Sequence, residues 1–408
     1  MKTIKDSVHD YIDVDDVART LLDTQAVQRL RRISQLGTVS LVYPSANHTR
    51  FEHSLGVYPL ADRALDHLEV HGREARRVRA AALLHDVGHA PFSHNVEELL
   101  ARRTGRYHDE VHDLLASGDV GAALRDADVD PNAVADLVAG EGRLGQLVSG
   151  ELDVDRTDYL VRDAHHTGVP YGTIDHSRLI RELTFVDGQL VLEAGNVETA
   201  ESLLIARALM NPTVYRHHVA RISKSMLRRA TEGLLDATDR DAETVRRMDD
   251  PALVTALREC SASAEYARRL DYRELYKRAV WAELPDVSDD VVDADHGLVR
   301  DLETQIAERA GVAHDAVVLD VPGRPELVET TSKVVVNGAV RRLDEQSPLV
   351  EALRWAQQAQ WRLGVYAPDD LTDAVGAAAV DVLGLDLEDL VSEVRGYPAT
   401  LDEFADLE

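Results

Sequence analysis

Ala80-Ala81-Ala82-Leu83-Leu84-His85-Asp86-Val87-Gly88-His89-Ala90-Pro91-Phe92-Ser93-His94 is the stretch on which the reading of this chain turns. Small apolar residues lead up to His85-Asp86, as in a helix buried against its neighbours. The spacing predicts that His89, four residues after His85, shares its helix face. Pro91 has no backbone N–H to give and is expected to end that helix, leaving His94 in the loop that follows. Three histidines and an aspartate within residues 85–94 are too many for incidental polar groups in a core, since each must be satisfied away from water. Two imidazoles with a carboxylate beside them suit a hard-to-intermediate metal ion.

Two further polar clusters flank the stretch. Upstream, residues 42–49 form a loop by their Pro, Ser and Asn content, and Arg50-Phe51-Glu52-His53 opens a helix continued by Leu55, Leu60, Ala64, Leu65 and Leu68. Downstream, Asp155, Tyr159 and Asp163 recur every four residues, which places two carboxylates and a phenol on one helix face. His53, His85, Asp86 and Asp155 then offer two nitrogen and two oxygen donors from three helices. Such a set accepts Fe, Mn, Zn, Co or Ni, and the sequence does not choose among them. Four protein ligands leave positions open on an octahedral ion for a water of lowered pKa and a substrate oxygen. The pattern therefore points to hydrolysis, most naturally of a phosphoester.

The 408 residues are 44% hydrophobic and carry a net charge of −28. That length can bury a full core and hold a large domain with a smaller one. Acidic residues are spread along the whole chain, while lysine is confined to Lys2, Lys5, Lys224, Lys277 and Lys333. Such a surface repels nucleic acid and anionic membrane, and neither is expected as a partner. An acidic shell suits very high salt, where screening removes the self-repulsion, and a halophilic, haloarchaeal source is the preferred reading. A GC-rich genome favouring Arg over Lys is the other explanation. No apolar run approaches the ~18 residues of a membrane span, and residues 1–6 lack the core of a signal peptide. With Cys260 alone there is no intrachain disulfide, in keeping with a cytoplasmic protein.

The remaining pattern is helical, with strands toward the C-terminus. Asp23-Thr24-Gln25 opens a helix by its capping residues, and residues 183–193 read as a hairpin around Asp187-Gly188. A helix bearing Arg207 and Tyr215 follows, then charged helices over 236–315. Strands are expected at 316–321 and 333–336, the latter turning at Asn337-Gly338. A helix over 349–363 and an acidic, helical tail from Pro368 complete the chain. The fold class is mainly α with a small α+β C-terminal portion.

Four strings, in order, carry a resemblance. They are Gln28-Arg29-Leu30-Arg31-Arg32-Ile33-Ser34-Gln35-Leu36-Gly37, Arg50-Phe51-Glu52-His53-Ser54-Leu55-Gly56-Val57, the string from His85 to His94, and Asp153-Val154-Asp155-Arg156-Thr157-Asp158-Tyr159. Together they resemble the HD-domain phosphohydrolases, and within them the deoxynucleoside triphosphate (dNTP) triphosphohydrolase branch. The resemblance covers residues 1–235 and thins beyond. It implies an HD-type helical bundle as catalytic core over 1–235 and an α+β appendage over 236–408. By this resemblance His53, His85, Asp86 and Asp155 are the metal ligands, with Mg²⁺ on the triphosphate as a second cation. His89, His94 and His108 surround the triphosphate, one of the three, His94 by preference, protonates the leaving 5′ oxygen, and Asp109 orients the neighbouring histidine. Arg50 grips phosphate. Gln35 and Leu36 lie beside the sugar, and Tyr159, Asp163, Arg207 and Tyr215 surround the nucleotide, with Tyr215 and Leu36 excluding a 2′ hydroxyl.

The implied reaction is attack of a metal-activated water on the α-phosphorus of a dNTP, releasing deoxynucleoside and intact triphosphate. Asp23, Gln28 and Arg31 correspond to residues that hold a guanine-nucleotide activator between subunits, which implies a homo-oligomer, dimer or tetramer. Two other functions fit the same residues. One is an HD phosphohydrolase acting on a nucleoside monophosphate, an NTP, or a cyclic or guanosine-polyphosphate signal; the other is a non-catalytic nucleotide sensor. Three histidines beyond the ligand set favour catalysis, because a binder needs no proton donors.

Overall fold

The computed structural model describes residues 2–325 and 332–386. The chain divides into two compact units, residues 1–274 with 327–354, and residues 275–326 with 355–408. The first is mainly helical, as its patterning predicts, and holds every candidate site residue named above. At its centre the Arg50–His67 and Gly72–Leu84 helices pack together. Val57, Leu60, Ala61, Ala64 and Leu65 of one, and Val78 and Ala81–Leu84 of the other, are fully buried. An antiparallel hairpin, Lys2–Asp6 with Asp10–Val14, begins this unit. A four-stranded sheet joins the predicted 183–193 hairpin to a second one, Lys333–Val336 with Ala339–Arg342, through a parallel contact between Leu192 and Val334.

The second unit is a three-stranded antiparallel sheet with helices His296–Ala310 and Thr372–Leu383. Its central strand is Arg362–Ala367, flanked by Lys277–Glu283 and Val318–Asp320. This corrects the helix expected over 349–363: the helix is Pro348–Ala359, and the chain then turns into the sheet. All six residues of that strand are buried. A strand covered on both faces shows no alternation, so its pattern resembles a buried helix. Lys277–Glu283 likewise replaces part of the helical run expected over 236–315. Among the described residues no helix is long and apolar enough to cross a membrane. The acidic tail is helical over Thr372–Leu383, and its end lies outside the described residues.

Candidate metal centre and active site

Local structure delivers the donors to one point. The Thr49 N–H donates to Glu52 Oε2 at 2.7 Å, a capping box that starts the Arg50–His67 helix and sets His53 in its first turns. The Gly72–Leu84 helix ends at Leu84, well before Pro91, so His85 and His89 do not share a helix face. The reason lies in His85 itself. Its Nδ1–H donates to the Ala82 carbonyl at 2.8 Å and competes with the backbone N–H that would continue the helix. Tight turns follow, with Val87 N–H on the Leu84 carbonyl and His89 N–H on the Asp86 carbonyl. Gly88 is required there, because a Cβ would overlap the backbone carbonyl of His108.

Phe92 and Ser93 both sit at φ of +56°, strained for residues with a Cβ. Asp250 holds this bend by accepting from Phe92 N–H at 2.6 Å and from Ser34 N–H at 2.9 Å. His94, expected in a loop, is instead the first residue of the His94–Thr104 helix. Arg29 fastens the other side of the loop, donating to the carbonyls of His89 and Met248 at 2.7 Å each. Burial, with Arg247 and Arg246 close by, pushes its pKa down to about 10.

His53, His85, Asp86 and Asp155 converge. His53 Nε2 lies 2.8 Å from Asp155 Oδ1 and 3.2 Å from His85 Nε2. His85 Nε2 is 3.4 Å from Asp86 Oδ1 and 3.7 Å from Asp155 Oδ1, and His53 Nε2 is 3.8 Å from Asp86 Oδ2. Ligand atoms around one cation with bonds of about 2.0–2.2 Å stand roughly 3 Å apart, so the spacing fits. The protonation pattern fits too. The Ala82 carbonyl fixes the proton of His85 on Nδ1, and Asp158 does the same for His53, at 2.7 Å from its Nδ1. In their neutral forms the two imidazoles thus turn Nε2 lone pairs toward two carboxylates, an arrangement of acceptors that a cation satisfies. The field at this point favours positive charge. Burial opposes charge on His53, yet Asp155, Asp158 and Asp86 outweigh it and raise its pKa to about 10, so a proton and a metal ion compete for the same place. Asp86 is held well below the usual carboxylate range, against the effect of burial, by Arg50, His85 and His89.

Asp158, fully buried, stands directly behind His53. Gly56, one turn along from His53, makes room for it, since a Cβ there would overlap the Asp158 carboxylate and the Arg162 guanidinium. Gly56→Ala is expected to cost about 3 kcal/mol by overpacking a buried ion pair, read as a lower urea midpoint at unchanged slope.

A second group of side chains adjoins the first. His89 Nε2 lies 3.2 Å from Asp86 Oδ1, and its ring stacks on His108 at 4.1 Å between centroids. His94 meets both rings edge-on, at 4.8 and 5.0 Å. Glu97 links the pair: its Oε2 is 2.6 Å from His94 Nδ1, and its Oε1 bonds His108 Nδ1. The carboxylate that orients these histidines is therefore Glu97, whereas Asp109 lines the same cavity without a side-chain hydrogen bond to either. Glu97 could have been found from its position three residues after His94. Burial keeps His89 well below its usual pKa, reinforced by Arg50 and His108. Burial also acts to lower His108, but Glu97 more than offsets it and the net shift is upward. Removing this carboxylate in Glu97→Gln lowers the pKa of whichever imidazolium donates the proton. The acid form is then lost at lower pH, and the alkaline limb of the kcat–pH profile is expected to move to lower pH.

Both groups open into a cavity of about 390 Å³. Gln35, Leu36, Arg50, Tyr159, Asp163, Arg207 and Tyr215 all line it. Arg50 spends its guanidinium on Asp86, at 3.0 and 3.1 Å, and on Ser93 Oγ at 2.9 Å. Its position in the fold is that of a brace for Asp86. Asp163 is buried and receives the Tyr215 hydroxyl at 2.9 Å, with His48 Nε2 2.8 Å from its other oxygen. Tyr215 lies beyond the Arg207 helix, Val197–Met210, in a wide turn where Arg216 N–H reaches the Asn211 carbonyl. Pro212, lacking an N–H, is the reason the regular helix stops. Arg216, Arg221 and Lys224 add cationic groups to the cavity wall, which no motif in the sequence had marked. Asp23, Gln28 and Arg31 lie outside it. Arg31 Nε donates to Gln28 Oε1 at 3.0 Å and its guanidinium covers the Phe51 ring at 3.5 Å, while Asp23 is exposed at the end of the Asp16–Leu22 helix.

Residues 50–163 match the HD domain, and residues 174–393 match the HD-associated region. The chain belongs to the HD-domain phosphohydrolase family. It is 33% identical over 385 residues to an uncharacterized protein of Methanocaldococcus jannaschii, covering 91% of this chain and 80% of that one. A deoxynucleoside triphosphate triphosphohydrolase SAMHD1 homolog of Dictyostelium discoideum is 33% identical over 249 residues, 55% of this chain. This chain spans about half of that relative, 48% of its length. A crystal structure of a phosphohydrolase from Bacteroides thetaiotaomicron superposes with a TM-score of 0.72 at 26% identity, over 90% of this chain and all of that one. HD domains bind divalent metals, and the His53, His85 and Asp86 cluster of this chain supplies donors of that kind.

Proposed function

We propose that this protein hydrolyses deoxynucleoside triphosphates to deoxynucleosides and inorganic triphosphate. One observation carries the reading: the converging His and Asp donor set and the Glu97-linked histidine pair open into the same cavity, whose wall also bears Arg207, Arg216, Arg221 and Lys224. Those cations suit a triphosphate, in a chain whose overall charge of −28 repels polyanions elsewhere. His53, His85, Asp86 and Asp155 would hold the metal ion, which when bound would lower the pKa of water and polarise a phosphoryl oxygen. Water adds to the α-phosphorus, the bond from that phosphorus to O5′ breaks, and the oxygen of water leaves on the triphosphate. His94, held through Nδ1 by Glu97, presents Nε2 to give O5′ its proton. Arg50 keeps Asp86 ionised and fixed, so that one ligand cannot swing away.

Tyr215 is tethered through its hydroxyl to Asp163, and a pinned ring beside the sugar excludes a 2′ hydroxyl by contact. Removing that ring in Tyr215→Ala is expected to raise the ribonucleotide-to-deoxynucleotide ratio of kcat/KM by about tenfold. Activation by a guanine nucleotide at Asp23, Gln28 and Arg31, and assembly of the chain into a homo-oligomer, belong to the same reading, as does a preference for high salt. Product analysis on the four dNTPs and GTP tests it, with Mn²⁺ or Mg²⁺, in high and low salt, with and without GTP or dGTP as activator. Deoxynucleoside plus triphosphate supports the proposal. Phosphate or pyrophosphate would move the protein to a general nucleotide phosphohydrolase, and tight dNTP binding without turnover to a sensor.

A further inference from the structure

The N-terminal hairpin, though remote in sequence, reaches the back of the metal centre. Its turn is folded on Asp6, whose carboxylate accepts the Val8 and His9 backbone N–H groups at 2.9 and 2.8 Å. The same carboxylate receives Arg162 Nη1 and Nη2 at 2.9 and 3.1 Å. Arg162 continues to Asp158, with Nε 2.9 Å from Oδ2 and Nη2 3.1 Å from Oδ1. His9 Nε2 then lies 2.6 Å from Asp158 Oδ1, across 149 residues of sequence, while His53 Nδ1 lies 2.7 Å from Oδ2. The His9 side chain is only 4% exposed, and those of Asp158, Arg162 and His53 are wholly buried.

Asp158 thus accepts four N–H groups, two on each oxygen, which uses its full capacity as an acceptor. With both oxygens engaged the carboxylate plane cannot turn, and Oδ2 stays in line with His53 Nδ1. This matters because His53 stands between two carboxylates, with Asp155 2.8 Å from its other nitrogen. If Asp158 loosened its hold, the ring could turn away from this line and carry Nε2 out of the donor cluster. We propose that His9 is a positioning residue of the metal centre: through Asp158 it holds the His53 ring with Nε2 among the other donors, so that the N-terminal hairpin is a working part of the metal site. This rests on the reading of His53 as a metal ligand.

The test is Mn²⁺ affinity of the full chain, measured by titration calorimetry, for the wild type and four variants. His9→Phe fills the space but donates nothing, and His9→Gln can still donate to Asp158. Lys5→Ala removes the exposed contacts of Lys5 with Asp10 and with the Tyr11 ring in the same hairpin, and His85→Ala removes a ligand. His9→Phe is expected to bind Mn²⁺ about tenfold to a hundredfold more weakly, with His9→Gln recovering most of the loss and Lys5→Ala unchanged. Thermal melting establishes that each variant is folded. Wild-type affinity in His9→Phe, or a folded His9→Gln as weak as His9→Phe, would overturn the proposal alone. A wild-type chain that binds no Mn²⁺, or binding that survives in His85→Ala, would instead overturn the metal reading beneath it.

Discussion

His85→Ala is expected to abolish metal binding and to lower kcat on a dNTP, the proposed substrate, by about a thousandfold or more, the scale expected when the main electrostatic stabiliser of a transition state is removed. His85 is the cleanest ligand to remove. Outside the donor cluster its hydrogen bond is the one from Nδ1 to the Ala82 carbonyl, and losing it costs about 1 kcal/mol. Asp86→Ala should reach the same loss of activity less cleanly. That change strands the buried Arg50 guanidinium and removes the partner of His89 Nε2, and one broken partner of a buried pair costs about 3–5 kcal/mol in stability. Metal content by elemental analysis, read beside a thermal melt, separates the two effects. A His85→Ala protein that keeps its metal and its turnover would remove the basis for the ligand assignment.

His94→Ala is expected to lower kcat by about a hundredfold to ten-thousandfold while metal content and stability stay near wild type. The side chain is 54% exposed, so little packing is lost with it. Its structural partner is Glu97, which keeps its bond to His108. The loss should depend on the leaving group. With 4-nitrophenyl triphosphate, whose phenolate departs without needing a proton, the variant should approach wild-type turnover. An equal loss on both substrates would mean that His94 binds phosphate and does not donate a proton.

Much of this arrangement is legible in the chain because its chemistry is packed into short strings. His53, His85, Asp86 and Asp155 each sit in a run whose capping residues, small residues or periodicity make the local structure readable, and the fold brings all four together. The partners that hold them are harder to see. His9 and Asp158 are 149 residues apart, and nothing in a hairpin of alternating polar residues marks one histidine as buried. Asp250 looks like an ordinary N-terminal helix acid, yet it fixes the strained bend before His94. The helix end at Leu84 is hidden in the sequence for a related reason. Proline is the visible breaker, but a side-chain bond from His85 ends the helix earlier. The Arg362–Ala367 strand escaped because burial on both faces erases the alternation that identifies a strand.

The most direct test of the central claim is a turnover in ¹⁸O-labelled water with a dNTP and Mn²⁺, with both products analysed by mass. Attack on the α-phosphorus with cleavage of its bond to O5′ places one label in inorganic triphosphate and none in the deoxynucleoside, and that is the expected result. Label in the deoxynucleoside, or in phosphate or pyrophosphate released beside a shorter nucleotide, would contradict the account.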